Sequence, residues 1–148
     1  MQSFSTILAL FTAAASAVSV SYDTGYDDGT RSMTAVSCSD GANGLITRYG
    51  YQTQSAVPSF PYIAGWQSIP GWNSPSCGQC LSVTYNGKTI YVTAVDHTDT
   101  GVNMSEEAMN DLTNGNAVQF GRVDATVTPV DFSLCKLPHA KRAAEFQA

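Results

Sequence analysis

Apolar and polar positions alternate in short runs along most of this chain, with one interval of helical spacing. Residues 18–24, VSVSYDT, alternate with period two, as an edge strand does. DDGTRSM is a turn, TAVSC predicts a second short strand, and SDGANGL is a loop with positions suited to left-handed backbone. ITRYGYQTQ carries β-branched and aromatic residues and is expected as a strand. VPSFPYIAGWQSIPGWNSPSC is rich in Pro, Gly and aromatics without a regular period, and is expected to be a long ordered loop. Two β-rich runs between residues 81 and 95 then surround Asn86-Gly87, the strongest short hairpin signal. NMSEEAMNDLTNG predicts the one helix. Ser105 is its N-cap, Glu106 and Glu107 fill its first turn, Met104, Ala108 and Leu112 share a face, and Gly115 ends it. GRVDATVTPVDFSLC predicts a final pair of strands broken at Pro129. Many short strands with one or two short helices predict a small, single-domain, mostly-β barrel.

Ahead of residue 18 the pattern changes. An apolar run from Ile7 to Ala15 leads into Ala15-Ser16-Ala17, an A-x-A cleavage pattern, and no charge precedes Asp23. The run is too short to cross a bilayer. It predicts a secretory signal peptide over residues 1–17 and a mature domain over 18–137. Residues 138–148 are expected to form a disordered tail, in which Lys141-Arg142 is a dibasic pair of the kind secretory proteases cut. A net charge of -5 with only 7 Lys and Arg argues against nucleic acid as a partner, and no segment predicts a membrane span. Only 13% of residues are charged, and Tyr, Thr, Ser, Asn and Gly are left to cover the surface. That surface suits neutral, hydroxyl-rich ligands such as polysaccharides, and it suits many secreted β proteins as well.

The stretch SPSCGQC places Cys77 and Cys80 at a spacing shared by redox dithiols, zinc sites and disulfide-stapled secreted domains. A thioredoxin-type dithiol needs a helix starting at its second cysteine, whereas here a hairpin follows Cys80 and Pro75 precedes the pair. A zinc site needs further ligands, and Cys38 and Cys135 form no second close pair. An even count of four in a chain with a leader favours two disulfides. Four cysteines allow three pairings, and a Cys77–Cys80 bond would close a strained, very small ring. Of the two pairings left, Cys38–Cys77 with Cys80–Cys135 is preferred; its bonds close long loops, worth roughly 4 kcal/mol each in the chain-entropy model. No cofactor and no metal is expected.

Glycoside hydrolysis generally needs two carboxyls flanking the scissile bond. Asp96 and Asp99, at the end of the predicted hairpin, are the candidates. His97 is expected to be an exposed loop histidine rather than a base. Trp66 and Trp72 are weighed as sugar-stacking platforms against packing anchors, with packing favoured. Tyr22, Tyr26 and Tyr49 suit a groove or the core equally, and Asp124 is expected to bond Arg122 or a neighbouring loop backbone. Asn103-Met104-Ser105 is an N-glycosylation sequon.

Together, VSVSYDTGYDD, SCSDGANGL, VPSFPYIAGW, GWNSPSCGQC, NGKTIYVTAVD, NMSEEAMNDLTNG and GRVDATVTPVDFSLC resemble, in order and spacing, the cerato-platanin family of small secreted fungal proteins. The resemblance spans residues 18–137. It implies a six-stranded double-psi β-barrel related to expansins, and the same Cys38–Cys77 and Cys80–Cys135 pairing. It also implies a secreted or cell-wall protein that binds chitin or other cell-wall oligosaccharides and loosens polysaccharide without hydrolysis. An elicitor role in plant defence follows, with a plant immune receptor as partner. Expansin-type barrels place a catalytic-type Asp just before the helix, and the matching residue here is Asn103. An amide is neither a general acid nor a general base at neutral pH, so the implied role of Asp96 and Asn103 is carbohydrate binding, not catalysis. The alternatives are a weak glycan hydrolase on the same barrel and a surface-active structural wall protein. Many relatives carry Trp where this chain has Leu81. If that position shapes the ligand surface, weaker sugar affinity is expected here.

Overall fold

The computed structural model describes residues 17–138. The leader over 1–17 and the tail over 138–148 lie outside the described residues, apart from Ala17 and Pro138.

Six strands close into a barrel: β1 (Val18–Tyr22), β2 (Ile63–Trp66), β3 (Cys80–Tyr85), β4 (Lys88–His97), β5 (Val102–Met104) and β6 (Arg122–Val130). Their order around the barrel is β1-β5-β2-β4-β3-β6. The β1–β5 and β2–β4 pairs are parallel and the others antiparallel. The barrel interior is filled by alternating side chains: Val20, Ile63, Leu81, Val83, Ile90, Val92, Val102 and Met104 are all essentially buried. The hairpin forms as predicted. Thr84 pairs with Thr89 and Tyr85 with Lys88 around Asn86 (φ 48°) and Gly87 (φ 81°), the left-handed pair that a type I′ turn needs.

Helix α2 (Glu106–Leu112) also forms as predicted, with Ser105 Oγ accepting the Ala108 amide. Its buried face of Ala108, Met109 and Leu112 packs on the barrel. A second cap comes from far away in sequence. The Asp27 carboxylate accepts the Glu106 and Glu107 amides at 2.8 and 3.0 Å, which ties the chain after β1 to the start of α2.

Several local expectations are corrected. The 18–24 run is no edge strand, since β1 is paired on both sides in the closed barrel. TAVSC makes no strand. Ser32 caps a short 3-10 turn over Met33–Ala35 instead. The segment expected as a strand at ITRYGYQTQ forms helix α1 (Leu45–Tyr49), with Gly50 as a left-handed C-cap at φ 78° and Arg48 in the last turn. The long loop contains β2. Residues 122–130 form one strand through Pro129, which lies where β6 pairs with β3 alone, so its missing N–H need break no second ladder. A 3-10 turn at Phe132–Cys135 follows in place of a second strand. Among the described residues there are three short α-helices, of which α3 (Ala117–Phe120) is the last.

The preferred disulfides are present. Cys38–Cys77 and Cys80–Cys135 close separations of 39 and 55 residues, and among the described residues no cysteine is free. The first ties the α1 loop to the segment before β3. The second ties β3 to the C-terminal 3-10 turn, where Cys80, Cys135 and Leu137 form a small separate cluster. Among the described residues no helix is long and apolar enough to cross a membrane.

Candidate functional site

Asp96 is the penultimate residue of β4 and Asn103 lies in β5. Gly65 of β2 is in register with both. Strands lie about 4.8 Å apart, so the two Cα atoms are about 10 Å apart across that glycine. The ladder shifts between Ala64 and Gly65, a bulge of the kind found where a strand re-aims its side chains. A Cβ at Gly65 would lie 3.0 Å from the His97 carbonyl oxygen and 3.1 Å from the Tyr26 hydroxyl, so the absent side chain leaves room for those groups.

The Asp96 carboxylate is held by four donors. Tyr26 Oη–H donates to Oδ2 at 2.8 Å, while the Ser37 amide, the Ser37 hydroxyl and the His97 amide donate to Oδ1, each at 2.9 Å. Burial and the neighbouring Asp96 charge push the Tyr26 phenol far above its ordinary value, so it stays a donor at any physiological pH. Tyr26 is therefore a buried core residue whose hydroxyl anchors the site. Through these bonds Asp96 joins β4 to the turn after β1 and to the segment before Cys38.

Asn103 opens on the other side. Its Oδ1 accepts the Ser21 hydroxyl at 3.0 Å, and it lines a shallow polar cleft of about 480 Å³ with Ser21, Tyr22, Thr98, Asp99 and Arg122. Asp96 is not among the residues that line this cleft. Tyr22 reaches the groove while its ring packs against the core, and Tyr49 stacks on Tyr51 away from it, with centroids 5.1 Å apart. Arg122 donates to Ser19 Oγ rather than to Asp124, which is exposed.

His97 is exposed but anchored. Its Nδ1–H donates to the Ile69 carbonyl at 2.6 Å, and Nε2 lies 3.0 Å from Asp99 Oδ1. The Ile69 carbonyl first, and then Asp99, raise its pKa, because two acceptors facing the two ring nitrogens favour the doubly protonated imidazolium. The tryptophans separate. Trp66 is half-buried and packs against the core, whereas Trp72 is 63% exposed, with its Nε1–H donating to Asp40 at 2.6 Å. Leu81 is fully buried, so that position contributes to the core and not to a ligand surface. Ser105 of the sequon is also fully buried, and its hydroxyl bonds the Pro61 carbonyl and the Ala108 amide.

Sequence reasoning missed Ser21, Thr98, Arg122 and the Asp27 cap. The first three are ordinary polar positions until the barrel brings β1, the loop after β4 and the start of β6 together around Asn103. On the far side, Asp111 accepts from Lys88 and from the Tyr62 hydroxyl. Burial and that bond push the Tyr62 phenol up to about 12, and the Lys88 contact holds Asp111 below the usual carboxylate range. Among the described residues no three His, Cys, Asp or Glu side chains converge as a metal site.

These features define a class: a small six-stranded β-barrel stapled by two disulfides, with a shallow polar groove where β1 and β5 meet. The chain belongs to the cerato-platanin family, whose model matches residues 18–137. It is 52% identical over 118 residues to the allergen Asp f 15 of Aspergillus fumigatus, covering 80% of this chain and 76% of that one. The crystal structure of cerato-platanin 3 from M. perniciosa superposes with a TM-score of 0.79 at 48% identity, covering 82% of this chain and all of that one. The solution structure of the fungal elicitor Cerato-Platanin gives a TM-score of 0.73 at 41% identity, covering 80% of this chain and 96% of that one. These names denote an allergen, a cerato-platanin and an elicitor, and none denotes a catalytic activity.

Proposed function

We propose that this protein is secreted to the extracellular space or the fungal cell wall, where it binds chitin or other cell-wall oligosaccharides without cleaving them. In this reading it loosens polysaccharide and, outside its own organism, elicits plant defence through an immune receptor. The observation that carries the reading is Asn103. An amide, able both to donate and to accept, stands across Gly65 from Asp96 in an open polar cleft, where hydrolysis would need a second acid. Asn103 meets an N-acetyl or hydroxyl group, and Asp96 holds the rim and accepts a sugar hydroxyl on its less occupied Oδ2. Each net hydrogen bond is worth about 0.5–1.5 kcal/mol, so a few contacts give millimolar to micromolar affinity. Family membership and the elicitor title of one structural relative support the extracellular role.

The test pairs sedimentation on chitin and cellulose with reducing-end release from the same polymers. Binding without release is expected. Release that Asp96→Ala abolishes would overturn the non-catalytic reading. Val118 and Phe120, both exposed on α3, favour a surface-active component of the function, which film formation and surface tension would measure.

A further inference from the structure

Trp72 stands out on the described surface. A large aromatic side chain 63% open to solvent ordinarily has a mobile ring, yet here the indole N–H is held by Asp40 Oδ1 at 2.6 Å. The backbone beneath is fixed as well. Asn73, at φ 60°, accepts the Asn43 amide on its Oδ1 and the Asn43 side-chain N–H on its carbonyl, both at 3.0 Å, so the Asp40–Asn43 loop and the Trp72–Asn73 loop are clasped together. The Cys38–Cys77 bond closes the base of both loops. The indole edge is consumed by Asp40 and the ring is left with an exposed, oriented surface.

The two loops start at the site already described. The Ser37 amide and hydroxyl hold Asp96, and Asp40 follows three residues later. The Ile69 carbonyl accepts from His97, and Trp72 follows three residues after it. Three residues span at most about 11 Å, so the ring stands within a short reach of the His97 end of the site.

Resting on the carbohydrate reading above, we infer that Trp72 is a stacking platform that extends the Asn103–Asp96 site, taking a further pyranose ring of a neutral glycan chain on its exposed face, with Asp40 as the residue that positions the indole. The π-face of indole is electron-rich and apolar, and it complements the weakly positive C–H face of a pyranose. Holding the ring in advance removes the ordering cost that a mobile aromatic would meet on binding. A platform set beside a hydrogen-bonding groove makes affinity rise with chain length, because each further ring adds contact area without a second association cost.

The experiment measures binding of N-acetylglucosamine oligomers of rising length, and of insoluble chitin, to the full chain and to Trp72→Ala, Trp72→Phe, Asp40→Ala, Asp40→Asn and Asn103→Ala. Trp72→Ala is expected to weaken binding about tenfold for the longest oligomers, with the loss growing with length, while Trp72→Phe keeps most of the affinity. Asp40→Ala is expected to raise the mobility of the Trp72 ring, read by fluorescence anisotropy, and to cost affinity; Asp40→Asn, which keeps the acceptor, restores both. Unchanged thermal midpoints separate these effects from misfolding. If Trp72→Ala binds every oligomer as the unmodified protein does, the platform is wrong, whatever Asn103→Ala does. If Trp72→Ala loses binding and Asn103→Ala does not, the platform stands and the groove reading fails. No binding by the unmodified protein overturns both, and a Trp72→Ala effect confined to self-association or to lipid vesicles assigns the ring to a different partner and overturns the platform.

Discussion

Asp96 and Asn103 stand on opposite sides of Gly65, each in register with it, although they come from different strands and neither bonds the other. The glycine between them leaves room for the Tyr26 hydroxyl that holds Asp96. A methyl group there would press on that hydroxyl and on the His97 carbonyl. Gly65→Ala is therefore expected to cost about 1–3 kcal/mol by overpacking and to weaken oligosaccharide binding in parallel. Denaturant unfolding combined with a binding titration checks both, and full stability with full binding would show that the strands shift freely.

Asp96→Ala tests the structural share of the same residue. Four donors lose their acceptor, among them a buried tyrosine hydroxyl, so a loss of about 3 kcal/mol and a clearly lower thermal midpoint are expected. An unchanged midpoint would mean that water replaces the carboxylate at no cost. Asn103→Asp, by contrast, is expected to keep the fold and release no sugar, because a second acid without positioning or a tuned pKa does not catalyse.

The His97 contacts give stability a pH dependence of defined sign. The folded pKa is raised above the ordinary 6.5 by the Ile69 carbonyl and Asp99, with Asp96 adding in the same direction. The contribution is thus fully present below the ordinary value and is lost as pH rises through the folded one. Thermal midpoints recorded between about pH 5 and 8 should decline across that window, and His97→Gln should flatten the decline. A slope untouched by the substitution would assign it to other groups.

Gly87 in the hairpin has no atom within 4 Å of where a Cβ would lie, so substitution there probes backbone conformation alone. Gly87→Ala at φ 81° is expected to cost about 1–2 kcal/mol, and Gly87→Val more. A change within about 0.5 kcal/mol for the valine would show that the turn readily adopts another form.

Removing the Cys80–Cys135 bond opens a loop of 55 residues. Cys80→Ser is expected to cost about 2–5 kcal/mol and to lower the secreted yield. Titration of the unmodified, denatured, non-reduced protein should find no thiol, and any reactive pair would contradict the bonded state.

What the chain determines by itself is local. Asn86-Gly87 between β-rich runs makes a hairpin because two adjacent left-handed residues admit little else, and Ser105 ahead of two glutamates starts a helix because its hydroxyl supplies the acceptor that the first amides lack. The residues of GLITRYG also carried a local signal, a glycine at the helix C-cap, but their β-branched and aromatic character obscured it. Other features exist only in the closed barrel. β1 is edge-like in its own sequence, yet closure gives it a neighbour on each side, and Leu81 becomes core because the barrel wall turns it inward. The groove beside Asn103 gathers Ser21, Asp99 and Arg122 from β1, from the loop after β4 and from β6, polar residues with nothing local to mark them. Asp96 and Trp72 show the same division. Their chemistry can be read from residue type, but whether a carboxylate is spent on internal donors or an indole is left open to solvent depends on partners dozens of residues away, and only tertiary packing decides which partners arrive.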